Sequence, residues 1–262
     1  MLEELIESVP LTLIFLGTIV IVLVAIEMGY RIGRSRSRSN EFEGEAQMAA
    51  IVSANLALLA FIMAFSFSQA ASHHQTRKEL VVEEASAIGT AYLRASLVSR
   101  PEGAEIQRLL EDYTELRVDT AGSEKAILGV LAESYQLQDD IWRQVEQLAQ
   151  KDAINLLTGQ LVQSLNDMFD IQERRIASGG RYRVSSVIWL SLGILLTLSM
   201  LGMGYFQGVR GRRSQVNSTT LALSFSLVLL LIADLDRPLE GFVQLDQSAI
   251  SELDTRLFGK NY

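Results

Sequence analysis

The chain has 262 residues, of which 48% are hydrophobic, and a formal net charge of −8. Its apolar residues are collected in blocks, a pattern typical of membrane proteins rather than of soluble domains. The absence of cysteine excludes disulfides, thiolate catalysis and cysteine metal sites. The negative charge lies mostly in the middle of the chain and argues against nucleic acid as a partner.

Four apolar blocks predict membrane spans. They cover 11–25, 49–67, 184–206 and 219–233. About 20 apolar residues cross the hydrocarbon, so the shorter blocks need their serine and threonine neighbours or a thinner bilayer. The acidic start and the lack of a cleavage site indicate that the first block is a retained span, not a signal peptide.

The region between the second and third blocks is built from helix-forming residues, with apolar positions at helical spacing from Ile106 to Leu116. No strand alternation is found. The sequence therefore predicts an all-α integral membrane protein with four transmembrane helices in a 2+2 arrangement and a helical bundle between spans two and three. The adjacent acids Glu83 and Glu84 are expected on a solvated face of this bundle.

The predicted domain boundaries follow from these blocks. Transmembrane helices one and two occupy 1–69, the extramembrane helical bundle 70–183, transmembrane helices three and four 184–240, and an amphipathic C-terminal tail 241–262.

Arginine distribution bears on orientation. The loops after spans one and three are basic, and the positive-inside rule places them in the cytoplasm. Both termini and the central domain are then extracytoplasmic. The arginines concerned are Arg31, Arg34, Arg36 and Arg38 in the first loop, and Arg210, Arg212 and Arg213 in the second.

Span two carries a face that predicts either a packing seam or the wall of a pore. Asn55, Leu58, Ile62, Phe65 and Gln69 recur at intervals of three and four residues. As a pore wall, polar residues would stand at both ends of an apolar neck that gates by dewetting. Another face holds a stripe of small residues that permits close helix packing. That stripe consists of Ala50, Ala57, Ala60, Ala64, Ser68 and Ala71.

A charged cluster ends span four, at Asp234, Asp236 and Arg237. Charges so near the hydrocarbon are costly and normally paired. We expect Arg237 to pair with Asp234 or to reach across to a neighbouring helix. A structural clamp and an ion-access site are both open interpretations.

No catalytic motif is present: neither HExxH, nor a glycine-rich phosphate loop, nor GxSxG occurs. We expect no enzyme activity, no catalytic residue, no cofactor and no metal site.

Several segments resemble the bacterial bestrophin-like membrane proteins, a family distantly similar to bestrophin channels. The segments are AFSFSQA at 64–70, AIGTAYLR at 87–94, LNDM at 165–168 and DLDRP at 234–238, followed by Gly241.

The resemblance implies a multi-pass protein of the bacterial inner membrane that contacts the lipid bilayer and assembles with itself, as a pentamer if the likeness to bestrophins extends that far. It also implies passage of small ions, anions in particular, along the neck on span two. Bestrophins keep their termini and central domain in the cytoplasm, opposite to the orientation that the arginines predict. The alternative function is a membrane sensor or scaffold whose helical domain binds a ligand or a partner protein.

Overall fold

The computed structural model describes residues 9–37, 44–118, 124–151, 155–180, 183–237, 241–243 and 246–259. Within these ranges the chain forms eight α-helices and no strand, which confirms the all-α prediction. The helices are α1 (Leu11–Ser37), α2 (Glu45–Ala95), α3 (Glu102–Val118), α4 (Glu124–Lys151), α5 (Leu156–Gly180), α6 (Ser186–Arg210), α7 (Gln215–Asp236) and α8 (Ser248–Phe258).

Four of these helices, α1, α2, α6 and α7, are long and apolar enough to cross a membrane, as the four predicted spans require. Helix α2 has 51 residues. At 1.5 Å per residue its length is about 76 Å, more than twice the thickness of the hydrocarbon core. Only its apolar first half is therefore needed for the span.

The chain divides into two compact units. The membrane unit comprises Met1–His74 and Tyr182–Gln244, and the central unit comprises Gln75–Arg181 and Leu245–Tyr262. Helix α2 contributes its first part to the membrane unit and its second part to the central unit. The segment predicted as a C-terminal tail supplies α8, which belongs to the central unit.

Glycines bring the backbones of α1 and α6 into direct contact. Each helix carries the sequence Gly-Tyr-x-x-Gly, at 29–33 in α1 and at 204–208 in α6. A Cβ on any of these four glycines would overlap backbone atoms of the other helix. The contacts advance along both helices together, so α1 and α6 run parallel. The C-terminal turns of the two helices, which carry Arg34 and Arg36 in α1 and Arg210 in α6, consequently lie at the same end of the membrane unit.

An ion pair at that end joins α1 to the residues that follow α6. Glu27 of α1 accepts from Arg31 at 2.8 Å and pairs with Arg213, which follows α6, at 2.9 Å. The guanidinium of Arg213 also lies 5.6 Å from the ring centroid of Tyr30.

The central unit has a conventional apolar core. Helical spacing places Ile106, Leu110 and Tyr113 on one face of α3, and all three side chains are buried. They pack with apolar residues of the second half of α2 and of α4, α5 and α8. The largest of these partners are Ile88, Ile141, Leu161, Leu165, Met168 and Ile250.

Candidate functional site

The five residues of the predicted neck lie along one side of the first half of α2. Leu58 and Phe65 keep 47% and 61% of their surface exposed, and Asn55, Ile62 and Gln69 are half-buried. The Oε1 atom of Gln69 is buried and accepts no hydrogen bond from the described residues. This side of the helix thus presents two exposed apolar side chains, with Ile62 between them packed partly against the core of the membrane unit, and an amide residue at each end.

The side of α2 that packs inside the membrane unit is a different one. Leu59, Met63, Ser66 and Ala70 are buried there, at the spacing of a helix face. The packing that this chain makes by itself therefore leaves Leu58 and Phe65 outside the seam.

The small-residue stripe of span two does not provide the close helix contact in this chain. Ala57, Ala60, Ala64 and Ser68 are exposed, whereas the backbones meet at the glycines of α1 and α6. The repeated Gly-Tyr-x-x-Gly sequence is the signal that identifies this contact, because paired small residues four apart mark close helix crossings in membranes.

At the end of span four, Asp234 is buried and binds backbone amides. Its Oδ1 accepts from the amide of Phe242 at 2.7 Å, and its Oδ2 accepts from that of Val243 at 3.2 Å. The expected pairing of the Asp234 carboxylate with Arg237 is not formed. The carboxylate instead binds the chain that follows α7. These hydrogen bonds are strong because a charged acceptor meets backbone amide donors.

Gly241 is required by this turn. It adopts a φ of 145°, which side chains other than hydrogen rarely permit. A Cβ at this position would also overlap Oδ1 of Asp234. The combination explains why a glycine stands seven residues after the aspartate.

The two other members of the cluster bind the starts of two spans. Asp236 accepts from the amide of Val184, just before α6, at 2.8 Å. Arg237 donates to the carbonyl oxygen of Val9, just before α1, at 2.7 Å. All three charged residues therefore bind backbone groups from separate segments of the membrane unit, which favours the interpretation as a structural clamp.

A second polar cluster, not predicted, lies inside the central unit around Glu84. The Glu84 side chain is 0% exposed. Its carboxylate pairs with Arg117 of α3, with Nε 3.1 Å from Oε1, and with Arg175 of α5. The prediction of a solvated face for Glu83 and Glu84 is therefore wrong for Glu84, although Glu83 is exposed and pairs with Arg174 at the surface.

The spacing of α2 contained the signal for this buried carboxylate. Glu84 lies four residues after Leu80 and three before Ala87, on the same helical face as Ala91. An acid within an apolar face needs cationic partners, because burial of an unpaired carboxylate is expensive. Both partners come from distant parts of the sequence.

Two neutral side chains complete the cluster. The Tyr113 hydroxyl lies 2.9 Å from Oε1 of Glu84 and also contacts Gln172, which accepts from Gln138 at 2.7 Å. Burial raises the pKa of Tyr113 well above its usual value, and the Glu84 carboxylate raises it further. Tyr113 therefore keeps its proton and acts as a hydrogen-bond donor.

Potential metal ligands are spread across the part of the chain that the structure describes. Among the described residues, no group of three or more histidines, aspartates or glutamates is placed to hold a metal ion.

Comparison with known proteins gives a family and a fold. Residues 17–250 match the family described as the bestrophin-like domain. A crystal structure described as that of a membrane protein shares the fold, with a TM-score of 0.59 and 12% sequence identity over 95% of this chain and 97% of that one. No curated protein matches the chain.

Proposed function

Because the chain belongs to the bestrophin-like family, we propose that copies of it assemble around an ion pathway lined by the first half of α2. The pathway has an apolar neck at Leu58, Ile62 and Phe65, with Asn55 and Gln69 at its two ends. Small ions, anions in particular, would pass through it.

One observation carries this proposal. Leu58 and Phe65 on the neck side of α2 are about half exposed or more in the single chain, while the adjacent side of the helix, with Leu59 and Met63, packs in the membrane unit. A side of a span that is not used for internal packing faces lipid, another subunit or a pore. The amides of Asn55 and Gln69 on that side favour a pore, because polar groups facing lipid are costly.

Phe65→Ala and Ile62→Ala test the pathway. A narrow apolar constriction expels water and so blocks ions, and a smaller side chain wets it. We expect both variants to remain oligomeric and to pass more current than the unaltered protein in liposomes. Measurement of anion and cation flux in the same vesicles identifies the permeant ion.

Phe67→Ala is the matched control. Phe67 is 40% exposed and stands two residues from Phe65, which places it on the opposite side of the same helix. Its substitution removes the same side-chain volume and is expected to leave the flux unchanged. If Phe65→Ala causes the oligomer to dissociate and the flux does not rise, the neck residues form a packing seam and the channel proposal fails.

We also propose that both termini and the central unit are extracytoplasmic, on the basis of the arginine-rich loops. The chain contains no cysteine, so single substitutions report without background. Ser35→Cys and Ser214→Cys are expected to resist a membrane-impermeant thiol reagent in whole cells, and Ser248→Cys to react. The reverse pattern would refute this orientation.

A further inference from the structure

The membrane unit contains a cleft between the first halves of α1 and α6, next to α7. Its volume is about 570 Å³. Its lining includes Ile14 and Thr18 of α1, Trp189, Gly193 and Thr197 of α6, and Leu229 of α7.

The glycine contacts account for the cleft. They hold α1 and α6 together at 29–33 and 204–208, near the C-terminal ends of both helices. Gly193 lies about 16 Å further back along α6, and a Cβ on it would meet nothing within 4 Å. Parallel helices that touch at one level diverge away from it, so the cleft is the open end of this pair.

The two threonine hydroxyls in the walls are used within their own helices. Thr18 donates to the carbonyl oxygen of Ile14, and Thr197 to that of Gly193, each at 2.7 Å. Ser186 and the indole of Trp189 lie at the beginning of α6, and the rest of the lining is apolar. A polar ligand deep in the cleft would therefore lose its hydration without gaining hydrogen bonds, whereas a hydrocarbon would not.

The mouth of the cleft faces sideways. Leu190 and Ile194, on its rim, keep 54% and 51% of their surface exposed. Both belong to a membrane span, so the medium beside the mouth is the hydrocarbon of the bilayer.

Size distinguishes the two apolar occupants that such a mouth can admit. The cleft runs from Ser186 to Leu198 of α6, about 18 Å along the axis, which is close to one leaflet. An acyl chain crossing one leaflet of about 15 Å, with a cross-section of roughly 25 Å², fills about 400 Å³. A helix of about 10 Å diameter fills about 1,200 Å³ over the same length, about twice the 570 Å³ of the cleft, so only part of a helix could enter it.

We propose that the cleft is a binding site for one acyl chain of a phospholipid. The chain lies along α6 between α1 and α7, with its methyl end toward the glycine contacts. The headgroup lies at the beginning of α6, where Trp189 is placed, as expected for an indole at the membrane interface.

Retained lipid tests the proposal directly. The full-length protein is purified in detergent, washed, and its bound phospholipid is counted by mass spectrometry. We expect a stoichiometric amount on the unaltered protein. Gly193→Leu fills the cleft and is expected to lower retention by about tenfold, equivalent to 1.4 kcal/mol. Ala60→Leu adds a larger aliphatic side chain at an exposed position of α2 and retains lipid normally.

A second measurement leaves the cleft itself unaltered. The chain has two tryptophans, so Trp142→Phe leaves Trp189 as the only tryptophan, whose emission can be excited separately from that of tyrosine. In excess detergent, a small addition of brominated phospholipid quenches Trp189 if an acyl chain occupies the cleft. Absence of quenching, or equal lipid retention by Gly193→Leu and Ala60→Leu, would overturn the proposal. So would a disulfide between two copies of Gly193→Cys, which would show that a second chain fills the cleft.

Discussion

The membrane unit and the central unit each bury apolar side chains in a core, but their other internal contacts differ. In the membrane unit, α1 and α6 meet backbone to backbone at glycines, and the buried charges Asp234, Asp236 and Arg237 bind backbone groups. In the central unit, large apolar side chains fill the core, and the buried charge Glu84 binds other side chains.

The surroundings explain this difference. Between helices in lipid there is no hydrophobic driving force, so close packing of small residues contributes the stability. A free backbone amide beside the hydrocarbon is also costly and must find a partner. In water, burial of large side chains is itself favourable, and the central unit can use it.

The largest expected effect is on the central unit. Glu84→Gln removes the carboxylate that pairs with the buried Arg117 and the partly buried Arg175, and we expect the free energy of unfolding to fall by about 3–5 kcal/mol. Thermal unfolding of the purified protein measures the loss. Glu83→Gln is the control at the next position, since its ion pair with Arg174 is exposed and contributes about 0–1 kcal/mol. An equal loss of unfolding free energy for the two substitutions would contradict the larger contribution expected of the buried Glu84 ion pairs.

Substitutions in the charged cluster at Asp234 and Arg237 are expected to cause the next largest loss of stability. Asp234→Ala strands the amides of Phe242 and Val243, and we expect a loss of about 1.5–3 kcal/mol, the value for a hydrogen bond to a charged group. Arg237→Ala is expected to destabilise the protein as well, but Asp234→Asn should not rescue it, because the two side chains do not pair. Rescue of Arg237→Ala by Asp234→Asn, in the same unfolding assay, would contradict the observed hydrogen bonds.

A smaller effect tests the glycine contact. A Cβ at Gly204 would overlap the carbonyl oxygen of Ile26, so Gly204→Ala forces α1 and α6 apart at a cost of about 1–3 kcal/mol. At Gly202, two residues earlier, the nearest atom to a Cβ is Cγ2 of Val52 at 3.6 Å. Gly202→Ala is therefore tolerated. Similar unfolding temperatures for both variants would show that this helix pair does not depend on the contact.

The smallest expected effect is on the pH dependence of the stability of the central unit. The pKa of Tyr113 is raised in the folded chain above its usual value of 10. The unfolded chain therefore releases this proton first as the pH rises, and stability that is present below pH 10 is lost above it. Unfolding temperatures measured from about pH 8 to about pH 11 should fall less steeply for Tyr113→Phe than for the unaltered protein. Parallel curves for the two proteins would contradict the raised pKa.

Periodicity and composition determined much of this protein from its sequence. The apolar blocks predicted the four spans and the helical spacing of α3 its buried face, because burial in lipid or in a core leaves a regular trace along the chain. The segments from 64–70 onward also identified the family correctly. Exposure of Leu58 and Phe65 accords with the predicted neck, whose function stays a prediction.

Only the tertiary structure decided which groups meet. The partners of Glu84 lie 33 and 91 residues away along the chain, so the helical face of α2 indicates that Glu84 is buried but not which arginines pair with it. Arg237 was expected to bind Asp234 or a neighbouring helix; it donates to the carbonyl oxygen of Val9, just before α1, and Asp234 accepts from the backbone amides of Phe242 and Val243. Local spacing specifies the face on which a residue lies, whereas its partner depends on how distant segments pack.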